Sequence, residues 1–402
     1  MNAEAPRALC LDITRLVQRA DGGPLTGIDR VELAYLRAFC QAERPVYFLC
    51  RTAFGWLVLD RAGGQSLAGW IAGEPLPPTG PVARFVARHR RQPALEAALR
   101  QRAQAVLPER RLASWLRTAC PGAGWVAVGH TNLDEQLFRR LSAAGVKIVV
   151  MIHDTIPLDH PDWSGPGAPA RFRAALDATL RYADLVLCPS QAAGAAIARR
   201  VQGRRPIVQA VPLGVAPARS DPTLLPPGLD LTGRYFLVLG TVEPRKDHLL
   251  LLDVWRGFHA SLPLADIPRL IICGRRGWGA PHLFDRLATD PAIGPTIRVL
   301  PGLPDGAVSA LLQGATALLA PSRAEGFGLP AAEAASFGMP VLATDLPVTR
   351  EILGDWPTYL PAGSVADWSR AILSAAQDTK RRPPPPLPDW TAHFNCVFNF
   401  LG

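Results

Sequence analysis

Short apolar runs alternate with segments of helical periodicity along almost the whole chain, and this alternation constrains the fold more than any other feature. The first half predicts strands at residues 8–13, 45–50, 56–60, 125–129, 146–152, 185–188 and 207–211. The second half predicts strands at residues 235–240, 269–273, 296–300, 317–320 and 341–343. Helical patterns separate many of these runs, at residues 29–40, 171–182, 191–201, 247–262, 305–313, 329–337 and 348–354. Strands that alternate with helices are typical of βα units and parallel sheets.

The alternation breaks at residues 217–233, where four prolines and two glycines leave little periodicity. We interpret this stretch as a linker between one domain at residues 1–216 and a second at residues 234–380. Within residues 381–402, four consecutive prolines predict extended polyproline, and a terminal helix is expected to pack back on the first domain. The predicted fold class is therefore α/β, with two Rossmann-like, doubly wound domains that face each other across a cleft. Ligands of such sheets bind at the carboxyl ends of the strands.

The formal charge of +9 comes mostly from one stretch, because residues 84–118 contain nine arginines and two glutamates. This concentration predicts one basic face rather than a protein that is basic all over. Apolar residues are interleaved with these arginines: Phe85, Val86, Leu95, Leu99, Val106, Leu112, Trp115 and Leu116. One or two amphipathic helices, interrupted near Pro93 and Pro108, are open to two interpretations: a solvated helix pair, or a surface that lies on an anionic membrane. No nucleic-acid-binding module is visible, so no nucleic acid partner is expected.

The cysteines and the N-terminal residues help to predict the cellular compartment of the protein. Seven cysteines are scattered along the chain and form no C-x-x-C pair. No apolar leader is visible at the start, and no apolar run reaches the roughly 18 residues that a membrane span needs. We therefore expect reduced thiols in a cytoplasmic protein, held at most peripherally on the inner face of the membrane. These features argue against integral membrane, secreted disulfide-rich and fibrous classes.

The most informative motif follows one predicted strand and opens the next helix. Its Gly326-Phe327-Gly328 turn lets the backbone come close to a ligand. The N–H groups of Gly328 and Leu329 would point out of the helix N-terminus, where they form an anion site. The helix begins with Pro330, which suits a first helical turn.

Two carboxylates flank this turn. Glu325 stands before the helix and Glu333 about one turn inside it, in a glycine- and alanine-rich setting. A carboxylate in apolar surroundings needs a partner, which a ligand with several hydroxyls could supply. The alternative interpretation is an ordinary helix with a capping acid.

A second motif, residues 240–247, also follows a predicted strand and precedes a helix. It contains Thr241, Arg245 and Lys246, and Lys246 is one of only three lysines in the chain. Two cations at the carboxyl end of a strand are what a diphosphate needs. The alternative is a solvated pair of charges on a loop.

Polar residues follow three strands of the first half. His153 and Asp154 come directly after the strongest predicted strand, where an imidazole beside a carboxylate suits proton handling or substrate orientation. His130 repeats this arrangement one strand earlier, although a structural hydrogen-bonding role is the alternative for it. In the loop before the first long helix, Gly27 permits a turn, and Arg30 is placed to reach a phosphate or an acceptor.

Several common motifs are missing from the sequence. No G-x-G-x-x-G follows a strand, and no P-loop, G-x-S-x-G, H-E-x-x-H or D-x-D pair is present. We therefore expect neither a dinucleotide cofactor nor coordination of a metal by paired aspartates.

Taken together, these motifs resemble the GT-B glycosyltransferases of family 4, a large retaining group. The second half carries a Glu-x7-Glu pattern as Glu325 and Glu333, and a Gly-Thr-x-Glu-Pro-Arg-Lys motif at residues 240–246. A Gly-x-Pro-Val motif begins at residue 338, and Glu-Ile-x-Gly-Asp occupies residues 351–355. The first half is similar to a subgroup with a Thr-Gly-Ile-x-Arg-Val loop and an Ile-His-Asp-x-Ile-Pro strand end.

The resemblance implies a role for each donor-side residue. Glu333 would hold the ribose hydroxyls of a nucleotide, and Lys246, helped by Arg245, would bind its diphosphate. The transferred sugar and the phosphate would be lined by Gly326, Phe327, Gly328 and Leu329. Glu325 would face the sugar and steady the positive charge that develops on it. Many relatives carry an arginine where this chain has Thr241, so Arg245 or Arg30 would supply that charge.

The resemblance also implies roles across the cleft. His153 would contact the sugar from the first domain, and Gly27 would line the cleft at the phosphate. Arg30 is an acceptor-side candidate, and we place His130 and Asp154 on that side as well. The catalytic residues would be Glu325, His153 and Lys246, and no metal is required.

The function that the resemblance implies is a metal-independent, retaining hexosyltransferase. It would move a sugar, mannose in the subgroup, from a nucleotide-diphosphate donor to a saccharide or lipid-linked acceptor in polysaccharide or glycolipid biosynthesis. Two alternatives remain open from the sequence. One is a nucleotide-sugar epimerase or phosphorylase on the same two-domain plan, and the other is a non-catalytic protein that binds a sugar nucleotide.

Overall fold

The computed structural model describes residues 8–21, 23–77, 91–203, 206–278, 281–378 and 381–401. Two sheets organise the chain, one of eight strands and one of six. We call the part that surrounds the first sheet the N-lobe (residues 8–210) and the part that surrounds the second the C-lobe (residues 235–377).

The N-lobe sheet has the strand order β4-β3-β2-β1-β5-β6-β7-β8. Its strands are β1 (Leu9–Asp12), β2 (Val46–Thr52), β3 (Gly55–Leu59), β4 (Ala105–Leu107), β5 (Gly124–Ala127), β6 (Lys147–Met151), β7 (Leu185–Cys188) and β8 (Ile207–Ala210). Its helices are α1 (Thr14–Gln18), α2 (Gly27–Gln41), α3 (Arg61–Ile71), α4 (Arg91–Arg102), α5 (Leu112–Ala119), α6 (Glu135–Ala143), α7 (Ile156–Asp159), α8 (Ala168–Tyr182) and α9 (Gln191–Ala198).

The C-lobe sheet is parallel throughout and has the order β11-β10-β9-β12-β13-β14. Its strands are β9 (Tyr235–Leu239), β10 (Arg269–Cys273), β11 (Ile297–Leu300), β12 (Ala317–Ala320), β13 (Val341–Thr344) and β14 (Thr358–Leu360). Its helices are α10 (His248–Ser261), α11 (Pro281–Thr289), α12 (Asp305–Gly314), α13 (Leu329–Ser336), α14 (Pro347–Leu353) and α15 (Val365–Gln377). The α/β class with two doubly wound sheets, expected from the sequence, is therefore confirmed.

The order of the strands within each sheet determines which loops lie next to each other. In the C-lobe, β9 and β12 pair directly, with Leu237 opposite Leu318, so the loops that follow them lie side by side. In the N-lobe, β1, β5 and β6 are consecutive neighbours. The chain reverses its winding direction between β1 and β5 and between β9 and β12, and ligands of open α/β sheets bind at such switch points.

The N-lobe sheet differs from the expected parallel arrangement at one edge. Strand β3 pairs antiparallel with both β2 and β4, because β2 and β3 form a hairpin. Helix α3, at residues 61–71, was not predicted from the sequence because Gly63 and Gly64 weaken helical propensity there. A Cβ at Gly64 would lie 2.3 Å from the Phe48 ring, so close packing on β2 explains this glycine. The helices α6, α11 and α15 and the strands β4 and β14 were also absent from the prediction.

The basic stretch is only partly as predicted, and its residues 84–90 lie outside the described part of the chain. Helix α4 contains Pro93 in its first turn instead of being interrupted there, because the first N–H groups of a helix need no helical acceptor. Four of the interleaved apolar side chains are almost fully buried in the N-lobe core: Leu95, Leu99, Leu112 and Leu116. They are therefore unavailable to a membrane, which corrects that part of the expectation.

Two segments cross between the lobes beside each other. The proline-rich stretch at residues 217–233 packs on the C-lobe, where Asp221 N donates to the Gly306 carbonyl at 3.0 Å. The returning segment meets the outgoing one where Val215 N donates to the Pro388 carbonyl at 2.9 Å. The final helix, α16 (Trp390–Leu401), then lies against α2 of the N-lobe. There the Tyr35 hydroxyl is 2.9 Å from His393 Nε2. None of the described helices combines the length and the apolar character that a bilayer crossing requires.

Candidate functional site

A cleft of about 280 Å³ lies between the lobes, where the carboxyl ends of the two sheets face each other. The sequence-predicted residues that line it are Gly27, Arg30, His153, Asp154, Thr241, Arg245, Lys246, Glu325, Gly326, Phe327, Gly328, Leu329 and Glu333. Both motifs of the C-lobe, the first turn of α2 and the residues after β6 therefore reach one common space.

Two cations hold the carboxylate of Glu325. Its Oε1 accepts from Lys246 Nζ, and its Oε2 accepts from Arg245 Nη1 at 2.7 Å. Burial by itself would raise the pKa of Glu325, but the two cations outweigh burial and lower the pKa to about 2. Lys246 is only 7% exposed, and this burial lowers its pKa against the opposing charge of Glu325. Glu325, Lys246 and Arg245 therefore form an ionic cluster that is largely shielded from bulk water.

Backbone geometry brings these side chains together. After β9, residues Pro244–Lys246 form one turn of 3-10 helix, and Asp247 adopts a left-handed conformation (φ 49°) that starts α10. The loop after β12 is tied to this turn, because Arg323 N donates to the Arg245 carbonyl at 2.7 Å. Gly328 has φ 87° immediately before α13, a conformation that favours glycine.

The second acid of the Glu-x7-Glu pattern meets a residue of the opposite lobe. Glu333 is buried in α13, and its Oε1 accepts from Arg30 Nη2. Arg30 lies in the first turn of α2, which is fixed by a capping box between Thr26 and Asp29. Burial would lower the pKa of Arg30, but the charge of Glu333 outweighs it and raises the pKa. Arg30, predicted on the acceptor side, thus lies beside the acid expected at the donor ribose.

His153 takes part in the cleft through its backbone carbonyl and through its imidazole ring. Its carbonyl is so close to Gly326 that a Cβ at residue 326 would lie 2.3 Å from the oxygen. The ring Nε2 is 2.8 Å from the Val128 carbonyl, an acceptor, so Nε2 carries the proton and Nδ1 the lone pair. Burial lowers the pKa of His153 to about 4, which keeps the imidazole neutral at pH 7.

His130 stands behind the cleft and does not line it. Its Nε2 accepts from His153 N at 3.2 Å, as the structural interpretation of this histidine anticipated. Asp154 does line the cleft, and its Oδ1 accepts from the first N–H group of α7, Ile156 N, at 3.0 Å. Gly27 lies opposite the first residue of α13, and a Cβ at Gly27 would be 3.6 Å from Leu329 Cδ1.

Sequence reasoning missed Arg275. This residue follows β10 and lines the cleft, and its Nη2 donates to the Pro24 carbonyl of the N-lobe. Its position just after the predicted strand at residues 269–273 could have indicated it. Arg245 and Lys246 were selected because they follow a predicted strand in the same way. Within the described ranges, no three His, Cys, Asp or Glu side chains come close enough together to hold a metal ion.

Comparison with known proteins agrees with this geometry. Residues 226–383 match the family described as glycosyl transferases group 1. A serotype-specific mannosyltransferase WbdA of Escherichia coli is 27% identical over 268 residues, which are 60% of this chain and 32% of the relative. The O-antigen chain mannosyltransferase B of Escherichia coli is 35% identical over 150 residues, 37% of this chain and 38% of the relative. The chain thus spans about a third of the length of these curated relatives.

Solved structures show the same fold at low identity. Sucrose-phosphate synthase from Thermosynechococcus elongatus superposes with a TM-score of 0.56 at 14% identity, over 98% of this chain and 95% of that one. Anabaena Alr3699/HepE in complex with UDP superposes with a TM-score of 0.52 at 15% identity, over 97% and 94%.

The two facing α/β lobes and the cleft between them define the GT-B fold. The segment at residues 226–383, which contains the C-lobe, is similar to the glycosyl transferases group 1 family.

Proposed function

We propose that this protein is a retaining family 4 hexosyltransferase that moves mannose from a nucleotide-diphosphate donor to a saccharide or lipid-linked acceptor. The product would be a polysaccharide or a glycolipid. The observation that carries the proposal is the convergence of Lys246, Arg245, Glu325 and Glu333 on one cleft, beside the backbone of Gly326. The two mannosyltransferase relatives support the choice of sugar.

The charges in the cleft suggest how the donor lies. Lys246 and Arg245 would receive the diphosphate and would be shared between it and Glu325. The N-terminus of α13 lies at the same cleft, since Gly328 and Leu329 line it, and helix N-termini favour anions. Glu333 would accept hydrogen bonds from the ribose hydroxyls, and Arg30 would share or release this acid.

The chemistry follows from this placement. Glycosyl transfer passes through an oxocarbenium-like state while the diphosphate leaves. Cations fixed near the leaving oxygens stabilise the charge that develops there. Glu325, with a pKa of about 2, stays ionised and faces the positive charge on the sugar. The acceptor would attack from the face that the diphosphate leaves, so the anomeric configuration is retained.

Closure of the lobes protects the reaction. The Gly326 loop lies directly against the His153 carbonyl, so the groups of the two lobes that would bind the sugar are close together. A closed cleft excludes water, which otherwise competes with the acceptor. The neutral ring of His153 can accept a hydrogen bond from a sugar hydroxyl through Nδ1.

A thermal-shift screen tests the donor. GDP, UDP and ADP, with their mannose and glucose conjugates, would be compared, because UDP is bound in the Anabaena structure whereas the relatives are mannosyltransferases. A ligand at a hundredfold excess over Kd adds about 2.7 kcal/mol of stability, which is easily detected. No stabilisation by any member of the panel would contradict the proposal.

Turnover then tests the roles. Lys246→Ala and Glu325→Ala should each reduce transfer by at least about a hundredfold, the scale expected for a preorganised charge at the reacting centre. Gly257→Ala is a matched control, because a Cβ there meets nothing within 4 Å. Wild-type activity in a folded Lys246→Ala or Glu325→Ala protein would show that the roles are wrong.

We further propose that the enzyme works at the cytoplasmic face of an anionic membrane, where a lipid-linked acceptor would lie. Four arginines of the basic stretch are exposed: Arg102, Arg110, Arg111 and Arg117. Phe54, at the turn between β2 and β3, is 81% exposed, and the Arg100 guanidinium lies 5.9 Å from its ring centre. Each arginine near an anionic surface contributes roughly 1 kcal/mol.

Vesicle flotation tests this surface. The wild type should float with phosphatidylglycerol vesicles and not with phosphatidylcholine vesicles. Alanine at the four exposed arginines should abolish flotation, whereas alanine at four exposed arginines elsewhere should not: Arg139, Arg199, Arg298 and Arg370. Equal flotation of the two quadruple variants would contradict a specific membrane-facing surface.

A further inference from the structure

The N-terminus of α9, an N-lobe helix, is closed by a carboxylate of the C-lobe. Gln191 N donates to Glu351 Oε1 at 2.6 Å, and Ala192 N donates to Glu351 Oε2 at 3.1 Å. Glu351 belongs to α14, so both bonds join opposite lobes. The first N–H groups of a helix have no acceptor inside the helix, and the helix dipole favours negative charge there. Glu351 supplies both the acceptors and the charge.

Ser190 connects the same helix end to the loop that is expected to bind the sugar. Its Oγ accepts from Ala193 N at 3.1 Å and donates to the Gly326 carbonyl at 2.8 Å. Ser190 is completely buried. Together with Glu351, it satisfies the first three N–H groups of α9 with groups that also reach across the cleft.

These contacts differ from the Arg30–Glu333 pair in one respect. Neither Glu351 nor Ser190 is among the described residues that line the cleft, so a donor can bind without displacing them. Pro189, the residue before Ser190, does line the cleft. The connection therefore lies directly beside the site while leaving the space for the ligand open.

We propose that Glu351 and Ser190 form an interlobe clasp that holds the lobes closed and fixes the Gly326 loop against His153. Both are positioning residues, since they act through the α9 N-terminus and the Gly326 carbonyl. This assigns a purpose to Glu351 in the sequence motif at residues 351–355. The effect of the clasp on turnover rests on the proposed transferase function, whereas its effect on closure does not.

Hydrogen exchange tests the clasp without any substrate. In this chain without added ligand, Glu351→Ala should speed exchange of the Gln191 and Ala192 amides at least tenfold, because each loses its acceptor. Asp355→Asn is the matched control, since this acid of the same motif is 98% exposed. Exchange in β9 and β12 should stay unchanged in both variants, which shows that the fold is intact. Equal exchange at Gln191 and Ala192 in wild type and Glu351→Ala would overturn the clasp.

Kinetics test the positioning role. Glu351→Ala should lower the kcat for transfer about tenfold and leave the Kd for the nucleoside diphosphate that stabilises the wild type within twofold. The fraction of donor that is hydrolysed instead of transferred should rise, because an open cleft admits water. Glu351→Gln keeps one carbonyl acceptor and should fall between wild type and Glu351→Ala.

The outcomes separate the two proposals. Faster exchange with unchanged kcat and unchanged hydrolysis would overturn the positioning role of Glu351. A wild type that neither binds nor turns over any nucleotide sugar would overturn the proposed function, and the exchange experiment would still decide whether the clasp exists. Ser190→Ala should reproduce the rise in hydrolysis, since it frees the Gly326 carbonyl.

Discussion

Arg30 of the N-lobe and Glu333 of the C-lobe form an ion pair across the cleft, at the acid that we assign to the donor ribose. The pair joins the first turn of α2 to α13, and a second carboxylate, Asp305 Oδ2, is 4.0 Å from Arg30 Nε. Glu333 therefore has one cation as its partner before any donor arrives. A ribose would have to share this carboxylate with Arg30.

Replacement of Glu333 by glutamine should weaken donor binding. A hydrogen bond to a charged acceptor contributes about 1.5–3 kcal/mol, so we expect the donor KM to rise at least about tenfold. The kcat should change less than twofold, because a ribose contact is equally present in the ground state and the transition state. Steady-state kinetics measure both constants. Glu135→Gln, at an exposed acid paired with Arg181, is the control, and a fall in kcat at unchanged KM would refute the ribose role.

Gly326→Ala should disable the enzyme without unfolding it. The added methyl would lie 2.3 Å from the His153 carbonyl oxygen, so the two loops must separate. We expect transfer to fall about a hundredfold, the scale of a roughly 1 Å misplacement in an active site. Gly257→Ala, in α10, should keep full activity because nothing lies within 4 Å of its Cβ. Activity assays at matched protein stability measure the difference, and equal activities would show that this close approach is not needed.

The Glu325 cluster predicts non-additive changes in stability. Glu325→Gln leaves the buried Lys246 without its acid partner, which should cost about 3–5 kcal/mol of unfolding free energy, whereas the half-buried Arg245 keeps Glu243. Lys246→Met should cost much less, since Arg245 still pairs with Glu325. The double variant should be more stable than Glu325→Gln because one unpaired cation is removed. Urea unfolding gives all three values, and strict additivity would argue against a coupled cluster.

Three buried histidines predict a loss of stability in mild acid. Burial lowers the pKa of His153, His248 and His393 to about 4, from an ordinary value of 6.5. As the pH falls, the histidines of the unfolded chain are protonated before those of the folded protein. The contribution of each histidine to the free energy of unfolding is therefore complete above pH 6.5 and is lost as the pH falls to 4. Each histidine accounts for about 3 kcal/mol at most.

His393 offers the cleanest test of this dependence. Its Nδ1 is 2.8 Å from the Pro212 carbonyl, and its Nε2 is 2.9 Å from the Tyr35 hydroxyl, so the ring is neutral between one acceptor and one donor. His393→Gln should reduce the slope of unfolding free energy against pH between 6.5 and 4. Denaturant titrations at several pH values measure this slope. An unchanged slope would mean that His393 is not protonated on unfolding in this range.

Much of the site could be predicted because strand ends are visible in the chain. Lys246 and Glu325 were selected as polar residues that follow apolar runs, and both line the cleft. The same rule applied to residues 269–273 would have found Arg275. His130 was selected by that rule too, but it supports His153 from behind, because being at a strand end does not decide whether a side chain reaches the ligand space.

Helix α3 was missed and the basic stretch was misinterpreted because tertiary packing overrides what the local pattern indicates. Helix α3 contains two adjacent glycines, which local propensity counts against a helix, whereas packing of Gly64 on Phe48 favours them. The basic helices looked amphipathic enough for a membrane surface, yet Leu95 and Leu112 are core residues of the N-lobe. The periodicity of a sequence indicates that one face of a helix is apolar, but it does not indicate which part of the protein or which partner covers that face.

The sequence by itself determined the two α/β units, the turns that bring backbone close to a ligand, and the charges that follow each strand, since all of these depend on neighbours along the chain. Only the tertiary structure decided that Arg30 meets Glu333, that His153 touches Gly326 and that Glu351 closes the N-terminus of α9. These pairs are separated by more than 150 residues, and strand order and lobe closure bring them together. No local pattern encodes such contacts, because they arise from the packing of whole elements.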